Sequence, residues 1–196
     1  MSEFDWDGYY AAMRGRSPRP NLLLALKAWG DRPPGNAIDL GAGDGVDSRA
    51  LAEAGWRVTA LDGEPRIAQE LRDVSGVEIV VRRFEQLDEL AASDLVFSGF
   101  ALPFCPPEHF EALWQKIRAS LRPGGLLAVE LFGVNDEWAG RASMTFHSRA
   151  QVERMLDGLE IVHLEEAERD GRSFDGPKHW HVFHVVARRP DGTDAA

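Results

Sequence analysis

The chain has 196 residues, 44% of them hydrophobic and 28% charged, which fits a folded globular domain and excludes a disordered chain. Its formal net charge of -10 opposes long-range attraction to nucleic acids and anionic membranes. The single cysteine, Cys105, excludes an intramolecular disulfide framework, and no segment approaches the roughly 20 apolar residues of a membrane span.

The start, MSEFDWDGYY, is acidic and lacks the basic flank and apolar run of a secretory signal, so a cytoplasmic protein is expected. An aromatic and basic leader then runs into NLLLALKAWG, a helix whose apolar face is Leu22, Leu23, Ala25, Leu26 and Trp29, with Asn21 as cap and Gly30 as stop. NAIDLG reads as a strand, DSRALAEAGW as a helix, WRVTALDG as a second strand and PRIAQELRDV as a second helix with Pro65 at a permitted early position. VEIVVRRF reads as a third strand, EQLDELAA as a short helix and DLVFSGF as a fourth strand. PEHFEALWQKIRASL follows as a helix with Phe110, Leu113, Trp114, Ile117 and Leu121 on one face. After the turn RPGG, LLAVELF is a fifth strand.

Strands alternating with helices predict parallel crossovers and a doubly wound sheet with helices on both faces. The last third differs: SRAQVERMLDGL reads as a helix, but EIVHLEEAER and KHWHVFHVVARR follow as strands with no helix between them, which predicts an antiparallel hairpin.

The strongest local signal is AIDLGAGDGVDSRALAEAG at residues 37–55. A strand delivers Asp39, and Gly41, Gly43 and Gly45 let the backbone turn tightly and approach a ligand. A dinucleotide fingerprint would carry its third glycine at Val46, and Asp39, Asp44 and Asp47 would repel a pyrophosphate while attracting a cationic amine or sulfonium. Asp62 closes the second strand, where a carboxylate can accept from both ribose hydroxyls, with Glu64 a weaker competitor. Arg83, Phe84 and Glu85 follow the third strand.

The ordered motifs DLGAGDG (39–45), ALDGEP (60–65), DLVFSGFALPF (94–104) and LRPGGLLAVELFG (121–133) resemble the class I S-adenosylmethionine-dependent methyltransferases over about residues 35–135. The resemblance implies an α/β Rossmann-like sheet of seven strands, the last antiparallel, and S-adenosylmethionine as cofactor. It assigns Asp39, Gly41 and Gly43 to the methionine part, Asp62 to ribose, Phe84 and Glu85 to the surroundings of adenine, and Ser98, Gly99 and Phe100 to the neighbourhood of the methyl, and Ala42, Gly63 and Arg83 complete the expected cofactor-binding set. FHSRAQVERML (146–156) and KHWHVFHVVARR (178–189) are similar to the small tellurite-resistance and thiopurine-type methyltransferases. The fourth strand ends in SGFALPF, without the Asn or Asp followed by two prolines and an aromatic found in many nucleic-acid and glutamine methyltransferases.

One domain over residues 1–190 is expected: a leader and helix over 1–30, a cofactor core over 35–135, an acceptor-side helix and hairpin over 136–190, and a flexible tail at 191–196. The acceptor-side candidates are Tyr10, Arg16, Phe100, Phe104, Trp138 and His179. Tyr9, Arg14 and Arg19 belong to the same leader, and Asn135 and Glu137 to the same loop as Trp138. Strand alternation puts His181 and His184 on opposite faces, so no metal site is expected. His147 is placed to cap or orient the helix after it, and LEEAERDGRS reads as a solvated hairpin end or a lip over the acceptor. The expected partner is a small molecule, a thiol, metalloid or other nucleophile, with no nucleic acid or membrane, and both monomer and homodimer are compatible with the sequence. Two alternatives share the glycine turn and the second-strand acid: an NAD-dependent oxidoreductase and a non-catalytic S-adenosylmethionine-binding protein.

Overall fold

A computed structural model describes residues 5–13 and 15–192, without the side chains of Asp7 and Ala11. Arg14 of the leader and residues 193–196 of the expected tail lie outside the described residues. Two leader helices, α1 (Trp6–Ala12) and α2 (Pro20–Trp29), precede the alternating core. The core runs β1 (Asn36–Leu40), α3 (Val46–Glu53), β2 (Arg57–Asp62), α4 (Ile67–Leu71), β3 (Val77–Val81), β4 (Ser93–Ser98), α5 (Pro107–Ser120) and β5 (Leu121–Gly133). Then come β6 (Phe146–His147), α6 (Arg149–Met155), β7 (Glu160–Ser173) and β8 (Gly176–Arg188).

The strands form one sheet in the order β3-β2-β1-β4-β5-β8-β7. The first five are mutually parallel, and β8 is antiparallel to both β5 and β7. The seven-stranded path matches expectation; β6 is an additional two-residue strand beside the end of β5, pairing Phe132 with Phe146 and Gly133 with His147. Alternation along each strand separates two cores. Ile38, Leu61, Val96, Leu127, Val129 and Phe183 pack under α5 and α6, while Ala37, Val58, Leu95, Leu126 and Ala128 pack under α2 and α3. Each large apolar side chain removed from water here contributes about 1.5–3 kcal/mol, which is what holds the layers together.

Several local expectations change. Asn21 does not cap α2; it lies inside the helix, buried, and its side-chain amide donates to the carbonyls of Val129 and Val185 at 3.2 and 3.1 Å. Leu23 is half-exposed rather than part of the buried face. EQLDELAA forms only a 3-10 turn at Phe84–Gln86, and the Leu87 carbonyl just beyond it accepts from the ammonium of Lys116 on α5. The RPGG turn is absorbed into β5 as an irregularity of register between Ser93 and Leu95 on β4.

His147 does not cap α6; Ser148 does, accepting from Gln151 N while the Gln151 side chain takes the Ser148 N–H. The His147 ring instead packs on Phe110 at 4.6 Å, with Nδ1 lacking a partner among the described residues. Burial lowers its pKa to about 4. A histidine held neutral in the fold and free to charge when unfolded stabilises the protein above pH 6.5. That contribution, on the order of 3 kcal/mol, is lost as the pH falls from 6.5 through 4. Thermal unfolding between pH 7 and 4 should therefore show a shallower decline for His147→Phe than for the native chain; parallel declines would refute the assignment.

Candidate active site

The site begins with a turn that only glycine builds easily. Gly41, Gly43 and Gly45 all have positive φ, at 75°, 53° and 72°, and a side chain at Gly41 would collide with Ala101. Asp62, at the end of β2, braces this turn: its carboxylate accepts from Gly43 N and Glu64 N, each at 2.8 Å. Burial raises the Asp62 pKa, opposed by those backbone N–H groups. Its remaining lone pairs face a cavity.

That cavity has a volume of about 1190 Å³ and runs across the carboxyl ends of the parallel strands. Of the residues expected to bind the cofactor, Gly41, Ala42, Gly43, Asp62, Gly63, Arg83, Phe84, Glu85 and Gly99 line it, and so does Glu64. Asp39 and Ser98 do not. Asp39 is buried beneath the turn, accepting from the Ser48 hydroxyl at 2.6 Å, and burial raises its pKa to about 8. The Ser98 hydroxyl donates to the Leu40 carbonyl at 2.8 Å, tying β4 to β1. Both residues thus sit one layer below the cavity surface because alternation turns them into the sheet.

The leader forms one wall. Tyr10 is buried with its ring 3.1 Å from where a Gly43 side chain would begin, and burial, then Asp62 and Glu64, raise its pKa. Trp6 stacks on Tyr10 and meets Phe104 edge-on at 5.0 Å, and Tyr9 meets Phe174. Arg16 lines the cavity, yet its guanidinium is held by Asp44 through two hydrogen bonds of 2.7 Å and by Asp47 through a third. Burial opposes its charge, but those two carboxylates keep it firmly protonated. Asp39, Asp44 and Asp47 are therefore not three free carboxylates: Arg16 holds Asp44 and Asp47, Arg19 brings a second cation to 3.7 Å from Asp47, and burial hides Asp39. Arg19 adds a backbone donor to Asp47 and lays its guanidinium over the Phe100 ring at 4.8 Å.

The opposite wall is aromatic. The acceptor-side candidates Phe100, Phe104 and Trp138 line the cavity, joined by Phe132, Met144, Trp180 and Val182. Phe100 is the one non-glycine with positive φ among the described residues, at 59°, a costly conformation at the end of β4. Behind this wall Lys178 places its ammonium 2.6 Å from both oxygens of Asp136 and over the rings of Trp180, Trp138 and Phe132 at 3.6, 4.2 and 4.7 Å. Burial lowers the Lys178 pKa, opposed by Asp136.

His179 is not in the cavity. On β8 the alternate residues Lys178, Trp180, Val182 and His184 share the cavity side, which turns His179 outward to Asp170 and Glu168. Asn135 and Glu137 also face away, bonded to Glu168 and to His179 N. The hairpin end supplies Arg169, Gly171, Arg172 and Ser173 to the cavity, so it is a wall rather than a purely solvated tip. Period-two spacing groups Trp180 with His184 on the last strand without saying which face they take; the Asp136–Lys178 pair, 42 residues apart, carried no sequence signal.

The model of the methyltransferase domain matches residues 37–125 of this chain. The chain belongs to the class I S-adenosylmethionine-dependent methyltransferases. This methyltransferase is 34% identical over 140 residues to trans-aconitate 2-methyltransferase of Deinococcus radiodurans, covering 69% of this chain and 52% of that protein. Its fold matches 1,6-didemethyltoxoflavin-N1-methyltransferase of Burkholderia thailandensis with a TM-score of 0.71 and 24% identity, covering 94% of this chain and 83% of that one. It also matches TehB of Haemophilus influenzae, with a TM-score of 0.77 and 14% identity over 94% and 67%. The family replaces the oxidoreductase alternative. No helix among the described residues is long and apolar enough to cross a membrane.

Proposed function

We propose that this methyltransferase transfers the methyl group of S-adenosylmethionine to a small planar acceptor held between the leader and the aromatic wall. The observation that carries the reading is one chamber of about 1190 Å³ with two chemically different halves. A single ligand of drug size fills roughly 300–1,000 Å³, so this chamber suits a cofactor and an acceptor together.

In the polar half, Asp62 takes the ribose hydroxyls, the backbone of Gly41, Ala42, Gly43 and Gly63 approaches the rest of the nucleoside and its amino-acid tail, and Arg83, Phe84 and Glu85 flank adenine. Gly99 and Phe100 stand beside the reacting methyl, while Asp39 and Ser98 brace the turn from below. S-Adenosylmethionine bound there supplies an electrophilic methyl on a sulfonium leaving group that needs no protonation. The aromatic half, Phe100, Phe104, Phe132, Trp138 and Trp180, aligns a flat acceptor and keeps water from the line of attack. Side chains do not fill this half, which disfavours a binder without catalysis.

Calorimetric titration with S-adenosylmethionine, S-adenosylhomocysteine and NAD tests the cofactor half. Saturable binding of the two sulfur nucleotides and none of NAD is expected; binding of NAD alone would sink the reading.

A further inference from the structure

We propose that His184 is the general base of this site, that Glu130 positions it, and that the acceptor presents a neutral O–H or N–H group rather than an ionised thiolate or carboxylate. The inference rests on the methyl-transfer reading above. It starts from a buried acid: Glu130 is 1% exposed, and its Oε2 has no hydrogen-bond partner among the described residues. A carboxylate left so is costly unless a cation or a proton donor compensates it. Glu130 lies in the middle of β5, directly across the antiparallel ladder from His184 on β8, so the two side chains share a face. Its Oε1 is 3.6 Å from His184 Nδ1, within ion-pair range and longer than an ordinary hydrogen bond.

His184 is the member of the pair that reaches the cavity. Its ring meets Phe100 edge-on at 6.1 Å, which brings it to the strained end of β4, where the methyl is read to lie. Other charges bear on it too. Glu165 faces it across the ladder from β7, Arg169 lines the same cavity, and Arg19 lies over the Phe100 ring that His184 touches. Glu130 is the acid within ion-pair distance. A carboxylate at Nδ1 fixes the tautomer with the proton on that nitrogen and leaves Nε2 as acceptor.

The step then balances. The acceptor oxygen or nitrogen forms a bond to the methyl carbon, and the carbon–sulfur pair leaves on sulfur as a neutral thioether. The acceptor proton passes to Nε2, and the imidazolium so formed is compensated by Glu130 until solvent removes the proton. A thiolate or carboxylate would need no such group.

Long-range proton–nitrogen correlation spectra of the protein saturated with S-adenosylhomocysteine, with His184 assigned against His184→Asn, provide the first test. The neutral ring is expected to carry its proton on Nδ1, and Glu130→Gln, whose amide can donate to that nitrogen, should reduce the share of that tautomer. A proton on Nε2 in the native protein, or a tautomer unmoved by Glu130→Gln, would overturn the assignment. Acceptor assays with protocatechuate, thiosalicylate and trans-aconitate provide the second. Methylation of the phenol is expected, with His184→Asn lowering kcat by about 10²–10⁴-fold at little cost in KM. Methylation confined to the thiol or the tricarboxylate, or full phenol turnover by His184→Asn, would overturn it. Calorimetry of the same samples separates the two readings: failure of S-adenosylhomocysteine to bind counts against the cofactor, not against the tautomer.

Discussion

Lys178→Met should lower the folding stability by about 3–5 kcal/mol, the range found when one member of a buried ion pair is removed and the other keeps its charge. Asp136 cannot easily relax, because its oxygens also accept from the N–H groups of Trp138 and His181. The damage should reach function as well. Three rings that line the acceptor half surround the Lys178 ammonium, so losing it removes the cation–π contacts that fix them. Combining Lys178→Met with Asp136→Asn should restore a substantial part of the stability, since a neutral amide can still accept from one backbone N–H. Denaturant unfolding of the single and double variants measures this. If the single variant unfolds at the native midpoint, the pair is structurally idle and the account of the wall fails.

Asp62→Ala should weaken S-adenosylhomocysteine binding by about 100-fold or more. Two hydrogen bonds to a charged acceptor contribute roughly 1.5–3 kcal/mol each, and 1.4 kcal/mol is tenfold in affinity. The same change frees the Gly43 and Glu64 N–H groups that hold the glycine turn closed. Asp62→Asn helps to separate the two effects: it keeps an acceptor for one of the two turn N–H groups but removes the charge, so it should lose much of the affinity at a smaller cost in thermal stability than Asp62→Ala. Calorimetry beside thermal unfolding reads both, and native affinity in Asp62→Ala would refute the ribose assignment.

The parallel half of the sheet was legible because its strands are short apolar runs with turn glycines and acids at their ends, a local pattern. The antiparallel ending followed from the missing helix between residues 160 and 188. What escaped was non-local. Asn21 looks like a cap until β5 and β8 place two carbonyls above it. Arg16 looks free until Asp44 and Asp47 close on it, 28 and 31 residues away. His179 and His184 are equally suggestive in the sequence, and only the phase of β8 decides which one faces the chamber. EQLDELAA has the composition of a helix yet forms only a 3-10 turn, its Leu87 carbonyl bonded to a lysine on α5.

The strand order has a consequence for how the molecule is made. The last strand along the chain, β8, is not at the rim; it is inserted between β5 and β7, which do not pair with each other. Until residues 176–188 have been synthesised, β5 therefore presents a row of unpaired backbone groups flanked by Leu126, Leu127, Val129 and Leu131, an edge open to pairing with other chains. On the proposed division of the cavity, the cofactor half draws largely on residues 41–100, whereas the acceptor half needs Trp180, Val182 and His184. A nascent chain would then complete its nucleotide cradle well before it has a reaction chamber. A ligand that binds the early half would steady the growing sheet during the interval when its hydrophobic edge is bare.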